Sequence, residues 1–511
     1  MYAHKIKRNM RRNHHFFKLP ALLFLTVTIV ASSCGRRQEV SETTGWRYNH
    51  EASGGFEVSQ YREQALGPGL VFIEGGTFVM GRTVDDVMFD WNNIQRRVTV
   101  SSFYMDETEV TNLDYLEYLY WLNRVFRAGG DGRPHQVYMN ALPDTLVWRD
   151  PLAYNEPFVE NYLRHPAYHG YPVVGVSWVQ AKDYAAWRTD RVNEMILVDK
   201  GYMEWDQRDV SADNFFTTEA YLAGLYRSDA VTRRDLDPNN EERLIRREDG
   251  IFLPRYRLPT EAEWEFAALG LKGNTIDERI VERRQYPWDG QHLRSAERRT
   301  RGTFLANFQR GRGDMMGVAG NLNDGGEITV PARSSWPNDY GLYHMAGNVN
   351  EWVKDVYRPL SHEAVADFRP FRGNVFETIR DDDGNFMERD PETGRLIRRL
   401  DDPDDTRQNY RRANNINYRD GDAMSQLEIL DIELMEGEEA EDISDTQRMY
   451  SFGETSLITD ETRVFKGGSW RDRAYWLNPG TRRYLDQNES ANDIGFRCAM
   501  DRVGSPMGVN R

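Results

Sequence analysis

Apolar positions along the chain come in short bursts with different periods, and each burst predicts an element. Residues 69–81, "GLVFIEGGTFVMG", alternate apolar residues with turn glycines and predict a hairpin. Residues 96–111, "RRVTVSSFYMDETEVT", predict a strand leading into a helix. Thr111 and Asp114 form a capping-box start, and Leu116, Leu119, Tyr120 and Leu122 then give an apolar face at helical spacing. Residues 171–193 predict a strand and then a helix capped by Ser177, with Ala181, Tyr184, Ala185 and Trp187 along it. In "YRLPTEAEWEFAALG" (256–270), Thr260 and Glu263 form a capping box, Trp264, Ala267 and Ala268 face inward, and Gly270 ends the helix. Residues 338–357 predict a turn-rich loop followed by a strand, and "VFKGGSW" (464–470) and "DIGFRCAM" (493–500) close the chain as short strands. The aromatic stretch Tyr115–Trp121 is assigned to the core.

Three stretches break this pattern. Residues 127–170 are rich in Pro, Gly and His, residues 194–250 are charged, and residues 366–460 mix charges of both signs. All three predict solvated insertions in one domain spanning 66–504. The acidic run at 430–445 within the last of them offers a docking surface to a basic partner, set against the plainer reading as a solvated loop. Aromatics are plentiful, with 13 Trp, 26 Tyr and 23 Phe, so the chain can bury a sizeable core. A net charge of −16 disfavours nucleic acid as a partner.

Composition changes the picture most at the N-terminus. Six Lys/Arg and no acidic residue occupy the first 33 positions, followed within them by a short apolar run from Leu19 to Ala31. That run is short of the roughly 20 residues a spanning helix needs. With Ala31, Ser32 and Ser33 directly before Cys34, residues 1–33 read as an export signal resembling that of a bacterial lipoprotein, in which Cys34 is acylated. Ala31 departs from the Leu usual at its position. Residues 34–65 are then a polar tether, and 505–511 a tail.

The motifs arrive in a familiar order. "FIEGGTFVMG", "YMDETEVTN", "PVVGVSW", "RLPTEAEWEFAA", "YGLYHMAGNVNEW", "FKGGSW" and "IGFRC" resemble those of the formylglycine-generating enzyme (sulfatase-modifying factor) family over residues 69–501. The resemblance implies an irregular α/β (α+β) fold, a variant of the C-type-lectin superfold with long insertions. "DDVMFDWNN", "SFYMDETEVTN" and "YLYWLNRVF" are similar to the gliding-motility lipoprotein J subfamily of Bacteroidota, whose sister group is gliding-motility lipoprotein K. That likeness implies an outer-membrane, periplasm-facing lipoprotein that partners lipoproteins K and N in the gliding and type IX secretion machinery.

Enzymatic members of the family use two cysteines after the Gly-Gly-Ser motif to bind copper(I). Asp472 and Leu477 stand at those two positions here. Soft thiolates suit copper(I) and carboxylates do not, so a protein with no copper and no oxidase activity is expected. Beyond Cys34 the chain has one cysteine, Cys498, in the "GFRC" strand. "HPAYH" offers His165 and His169 as a ligand pair, but Pro166 between them argues for a loop.

The resemblance also implies structural calcium. Its first site maps to Asn307, the Phe308 carbonyl, Asp324 and the Gly326 carbonyl; its second maps to the Gly347 and Val349 carbonyls and the Glu351 carboxylate. His344 stands where the family has Asn or Asp, and Asn350 where it has Trp. Alternatively, Asn307 and Asp324 cap turns. The leading expectation is a non-catalytic scaffold. Its rivals are an enzyme of the same fold with a non-thiol mechanism, and a lectin-like or peptidoglycan-binding module.

Overall fold

A computed structural model describes residues 40–82, 92–126, 135–204, 210–226, 231–273, 284–288, 290–310, 326–358, 370–375, 377–381, 383–388, 390, 393, 395–400 and 461–504. Cys34, Asp324 and the acidic run at 430–445 lie outside these residues. The chain divides into two compact units.

In the larger unit, Leu70–Ile73 and Gly76–Met80 both form strands, but they do not form a hairpin with each other. Leu70–Ile73 pairs antiparallel with Phe103–Asp106, which continues through Ala499–Asp501 to Tyr256–Arg257. Gly76–Met80 pairs instead with Arg96–Val100. Gly75 allows the crossing: a Cβ there would lie 2.3 Å from the Val100 carbonyl oxygen. Its N–H is taken by the Ser102 hydroxyl at 3.0 Å. A second sheet runs Arg483–Asp486, Thr462–Lys466, Asn350–Val356 and Ile494–Gly495, with only the last pairing parallel among the described strands. The C-terminal residues 483–501 thus contribute to both sheets.

The helix Asn112–Val125 starts with the expected capping box, Thr111 and Asp114 exchanging hydrogen bonds. Its buried stripe differs from the expected one. The expected Leu119 and Leu122 are buried, joined by Tyr115, Tyr118, Trp121 and Val125, while Tyr120 is 69% exposed. The rings meet those of the helix Trp178–Asp199, with Tyr115 stacked on Tyr184 at 5.7 Å and Trp121 near Trp187. Aromatic rings bury more apolar area than leucines, so they set the rotation of the helix. Ser177 caps the second helix, in a box with Gln180. The stretch before it, "PVVGVS", is extended but makes no ladder. It holds by single bonds, Val173 N–H to the Val110 carbonyl (2.9 Å) and Gly175 N–H to the Ala491 carbonyl (3.0 Å). Pro172 has no N–H to donate, and Gly175 (φ +72°) lies too close to the Asp144 carbonyl for a side chain.

The helix Glu261–Leu269 is buried almost all round, including Glu261 and Glu265, and Gly270 ends it at φ 58°. Buried carboxylates need partners. Lys466 supplies one, with its Nζ 3.2 Å from Glu261 and 3.1 Å from Glu265.

The smaller unit corrects the tether. Described residues 40–60, expected as a free polar linker, fold together with 232–249, expected as part of a solvated insertion. Asn49 exchanges two hydrogen bonds with the Val58 backbone. Glu57 and Asp249 clasp the buried Arg243 between them. A Cβ on Gly55 would overlap the Leu236 carbonyl, so the two segments pack backbone to backbone.

Candidate functional site

Two buried polar clusters flank the "GNVNEW" and "KGGSW" segments. The first centres on Glu351 in the strand Asn350–Val356. Arg497 grips its carboxylate through two bonds of 2.6 Å, and the Trp264 indole N–H donates a third at 2.7 Å. Both charged side chains are fully buried. Arg497 also donates to the carbonyls of Tyr343 (2.8 Å) and Asp106 (3.2 Å), tying the strand to a distant loop and to the end of the strand Phe103–Asp106. Glu109 lies beside this pair and accepts from Asn348 at 3.0 Å. Burial, reinforced by the Glu351 charge, pushes its carboxyl well above the ordinary range despite Arg497.

The second cluster occupies the corner where the family resemblance puts copper. Asp472 accepts from the Ser469 N–H (2.9 Å), the Ser469 hydroxyl (2.6 Å) and the Asn350 amide (3.2 Å). Arg483 donates to its other oxygen at 2.7 Å and also to the side-chain oxygen Oδ1 of Asn350. Burial alone would raise the Asp472 carboxyl, but these donors, Arg483 foremost, hold it below the usual range. Asp493 completes the group, 3.0 Å from the Ser469 hydroxyl and 3.2 Å from the Asn350 amide. Its own carboxyl is raised by burial and by the neighbouring Asp472. Leu477, at the other copper position, is fully buried in an apolar cluster with Tyr286, Phe304, Ala306 and Phe308.

The two departures flagged in the sequence are therefore joined. Asn350 replaces an expected Trp and binds Asp472, which replaces an expected Cys. A serine hydroxyl has one proton to give, and here it lies between two carboxylates. The corner is closed by its own hydrogen bonds, with no thiolate within it. Arg483, Ser469 and Asp493 were not singled out from the sequence. The signal available was the Asn350 departure, since a polar residue buried in that strand needs partners.

The calcium candidates divide. Asn307 is buried; its amide donates to the Ile328 carbonyl at 2.8 Å, while its side-chain oxygen has no partner. A Cβ on Gly326 would lie 2.9 Å from the same Ile328 carbonyl oxygen, and Phe308 follows Asn307 directly. An orphaned hard oxygen in such a place fits a calcium ligand. Asp324, the charged member of that set, lies outside the described residues. The second set does not fit. Gly347 and Val349 flank Asn348, but the Glu351 carboxylate is spent on Arg497 and Trp264. His344 is buried at φ 50° against Ser334, Ser335 and the Pro331 carbonyl, and burial pulls it down to about 4. Among the described residues, no group of three His, Cys, Asp or Glu side chains is arranged to hold a metal.

The remaining candidates are structural. His165 caps the short turn Pro166–Tyr168 by accepting from the Ala167 N–H (3.1 Å), and His169 ends it. Cys498 is buried, and desolvation raises its thiol far above the ordinary range. Outside the closed corner, Arg473, Ala474 and Tyr475 line a cavity of about 850 Å³ with Arg294, Phe304 and Arg310. No helix among the described residues is long and apolar enough to cross a membrane.

Comparison with known proteins adds the family. The sulfatase-modifying factor enzyme 1-like domain matches residues 55–502. The chain is 26% identical over 341 residues to the formylglycine-generating enzyme of Mus musculus, covering 66% of this chain and 72% of the other. It is 26% identical over 332 residues to the inactive C-alpha-formylglycine-generating enzyme 2 of the same organism, covering 64% and 80% respectively. Among solved structures, PvdO from Pseudomonas aeruginosa aligns with 16% identity and a TM-score of 0.39, covering 86% of this chain and all of that one.

Proposed function

The chain belongs to the sulfatase-modifying factor enzyme 1-like domain family, and from that premise we propose that it is a non-catalytic member. It works as a lipid-anchored outer-membrane component of the gliding-motility and type IX secretion machinery, facing the periplasm. The observation that carries the non-catalytic half is the closed corner. Asp472 is locked by Arg483, Ser469 and Asn350, and Leu477 is packed into apolar core. Neither offers a thiolate, and a copper(I) site needs soft ligands. That the matched relatives include a protein named as inactive is in keeping with this reading.

The fold then serves as a rigid frame, and the insertions near 127–170, 194–250 and 366–460 supply contact surfaces for lipoproteins K and N. Asn307, the Phe308 carbonyl, Asp324 and the Gly326 carbonyl would hold calcium, which would stiffen the loops beside the frame. The test is a mild-detergent pull-down of the tagged chain from native outer membranes, with cross-linking read by mass spectrometry. Co-purification of the other gliding lipoproteins, with cross-links in the insertions, is expected; a chain that comes down alone removes the scaffold reading.

A second reading keeps an enzyme with a non-thiol mechanism. Relatives named as formylglycine-generating enzymes favour it. It requires turnover of a cysteine- or thiohistidine-type substrate by the purified chain.

A further inference from the structure

The smaller unit carries apolar side chains that its own fold leaves in water. Trp46 is 62% exposed, Phe56 65% and Val40 47%. They are not on a loose tail. The Ser41 hydroxyl accepts from the N–H groups of Thr43 and Thr44, the Ser41 N–H donates to the Trp46 carbonyl at 2.8 Å, and Val40 bridges Arg47. That turn holds Trp46 beside Val40. Further on, the Asn49 N–H donates to the Phe56 carbonyl at 2.9 Å, and the Phe56 ring lies 5.6 Å from that of Tyr48. Ordering exposed aromatics on a fixed backbone has an entropic cost that contact with another surface offsets.

Covalent geometry says which surface is within reach. Five residues lie between Cys34 and Val40, so six Cα-to-Cα steps join them. Fully extended, they span roughly 20 Å. If the sulfur of Cys34 carries lipid, the unit beginning at Val40 cannot leave the neighbourhood of the bilayer. Charge does not draw it there: residues 40–60 and 232–249 hold six basic against nine acidic side chains. Aromatic side chains, Trp above all, favour the bilayer–water boundary without needing anionic lipid.

We propose that Trp46 and Phe56 form a membrane-facing contact, seated in the headgroup region of the leaflet that holds the Cys34 lipid, and that this contact sets the orientation of the smaller unit on the membrane. The proposal rests on the lipid-anchor reading above. Anchoring belongs to the acyl chains; the aromatics fix the tilt. Because the contact is apolar, it is insensitive to salt.

The test uses the full chain, expressed with its leader, processed, and inserted into the outer leaflet of preformed phosphatidylcholine vesicles. Single-cysteine variants Trp46→Cys, Phe56→Cys and Leu152→Cys are labelled with a fluorophore. An acylated Cys34 is blocked, and the buried Cys498 thiol is unreactive, so the label is site-specific. Leu152, 97% exposed, is the reference for an exposed apolar position outside the smaller unit. All three positions are exposed, so the variants keep the fold. Labels at 46 and 56 are expected to be quenched by lipid-borne nitroxide at least about threefold more than the label at 152, and to be protected from iodide, at low and high salt alike. Equal quenching at the three positions, in either phase, overturns the contact while leaving the anchor intact. Mass spectrometry of the same preparation reads the anchor separately: an unmodified Cys34 overturns the lipid-anchor reading and this contact with it.

Discussion

The two buried polar clusters make a controlled comparison. Both sit on the strand Asn350–Val356, one residue apart, and both are hydrogen-bonded throughout their charged centres. Glu351 points to Arg497 and Trp264, residues of motifs shared with the family. Asn350 points the other way, to Arg483 and to Asp472, and both Asn350 and Asp472 depart from the residues the resemblance leads one to expect. The difference teaches where sequence change is tolerated. The Glu351 cluster ties the strand Asn350–Val356 to the strand Phe103–Asp106 and to the Tyr343 loop, so altering Glu351 or Arg497 strands a charge in the core. The Asp472 cluster is buried too but leaves Arg483 and Asp472 partly accessible, at 23% and 11% of their side chains, so its chemistry could be exchanged once the replacements satisfied each other.

The comparison breaks first if the Glu351 cluster proves dispensable. Glu351→Gln leaves Arg497 buried without its counter-charge, and a loss of about 3–5 kcal/mol in denaturant unfolding is expected. A loss below that of Asp472→Asn would reverse the ranking of the two clusters.

His344 sharpens the comparison through pH. Its folded value, near 4, lies below the ordinary 6.5 because burial penalises the cation. A depressed histidine contributes stability that is fully present above about pH 6.5 and lost as pH falls towards 4. Between those limits the contribution amounts to roughly 3 kcal/mol. His344→Asn suits the left-handed backbone and removes this dependence. Parallel stability–pH curves for the two proteins would remove His344 from the account.

At the Asp472 corner, Asp472→Asn keeps the shape but weakens the Arg483 and Ser469 bonds, and a loss of about 1–2 kcal/mol is expected in the same unfolding measurement. The smallest effect belongs to Tyr120→Ser, within about 0.5 kcal/mol by thermal melting, since that ring faces water. Tyr118→Ala, one turn-step away and buried, provides the contrast at about 3–5 kcal/mol.

These contrasts also mark how far the sequence could be read. Helix starts were legible because capping is local: Thr111, Ser177 and Thr260 all cap as their spacing predicts. The loss of both thiolates was legible because it needs only identity at aligned positions. Pairing was not. The glycines of 69–81 suggest a hairpin, yet the partner of each strand lies beyond residue 95, and only packing at Gly75 decides that. In the helical face Leu116, Leu119, Tyr120 and Leu122, both Leu119 and Leu122 are buried as expected and Tyr120 is not, because the larger rings of Tyr115, Tyr118 and Trp121 turn it to water. The folded segment 40–60 was missed because its partner, 232–249, is remote in sequence and each half alone is too polar to suggest a core. Arg483 was passed over for the same reason: its role exists only where Asn350 and Asp472 meet.

The claim at the centre is that the corner where the family resemblance puts copper is closed. Copper(I) titration of the purified full chain under reducing conditions, followed by oxygen and a cysteine-containing peptide, tests it most directly. No stoichiometric copper uptake and no oxidised peptide by mass spectrometry are expected. Tight binding of one copper per chain with oxygen-dependent conversion of the peptide cysteine would contradict it.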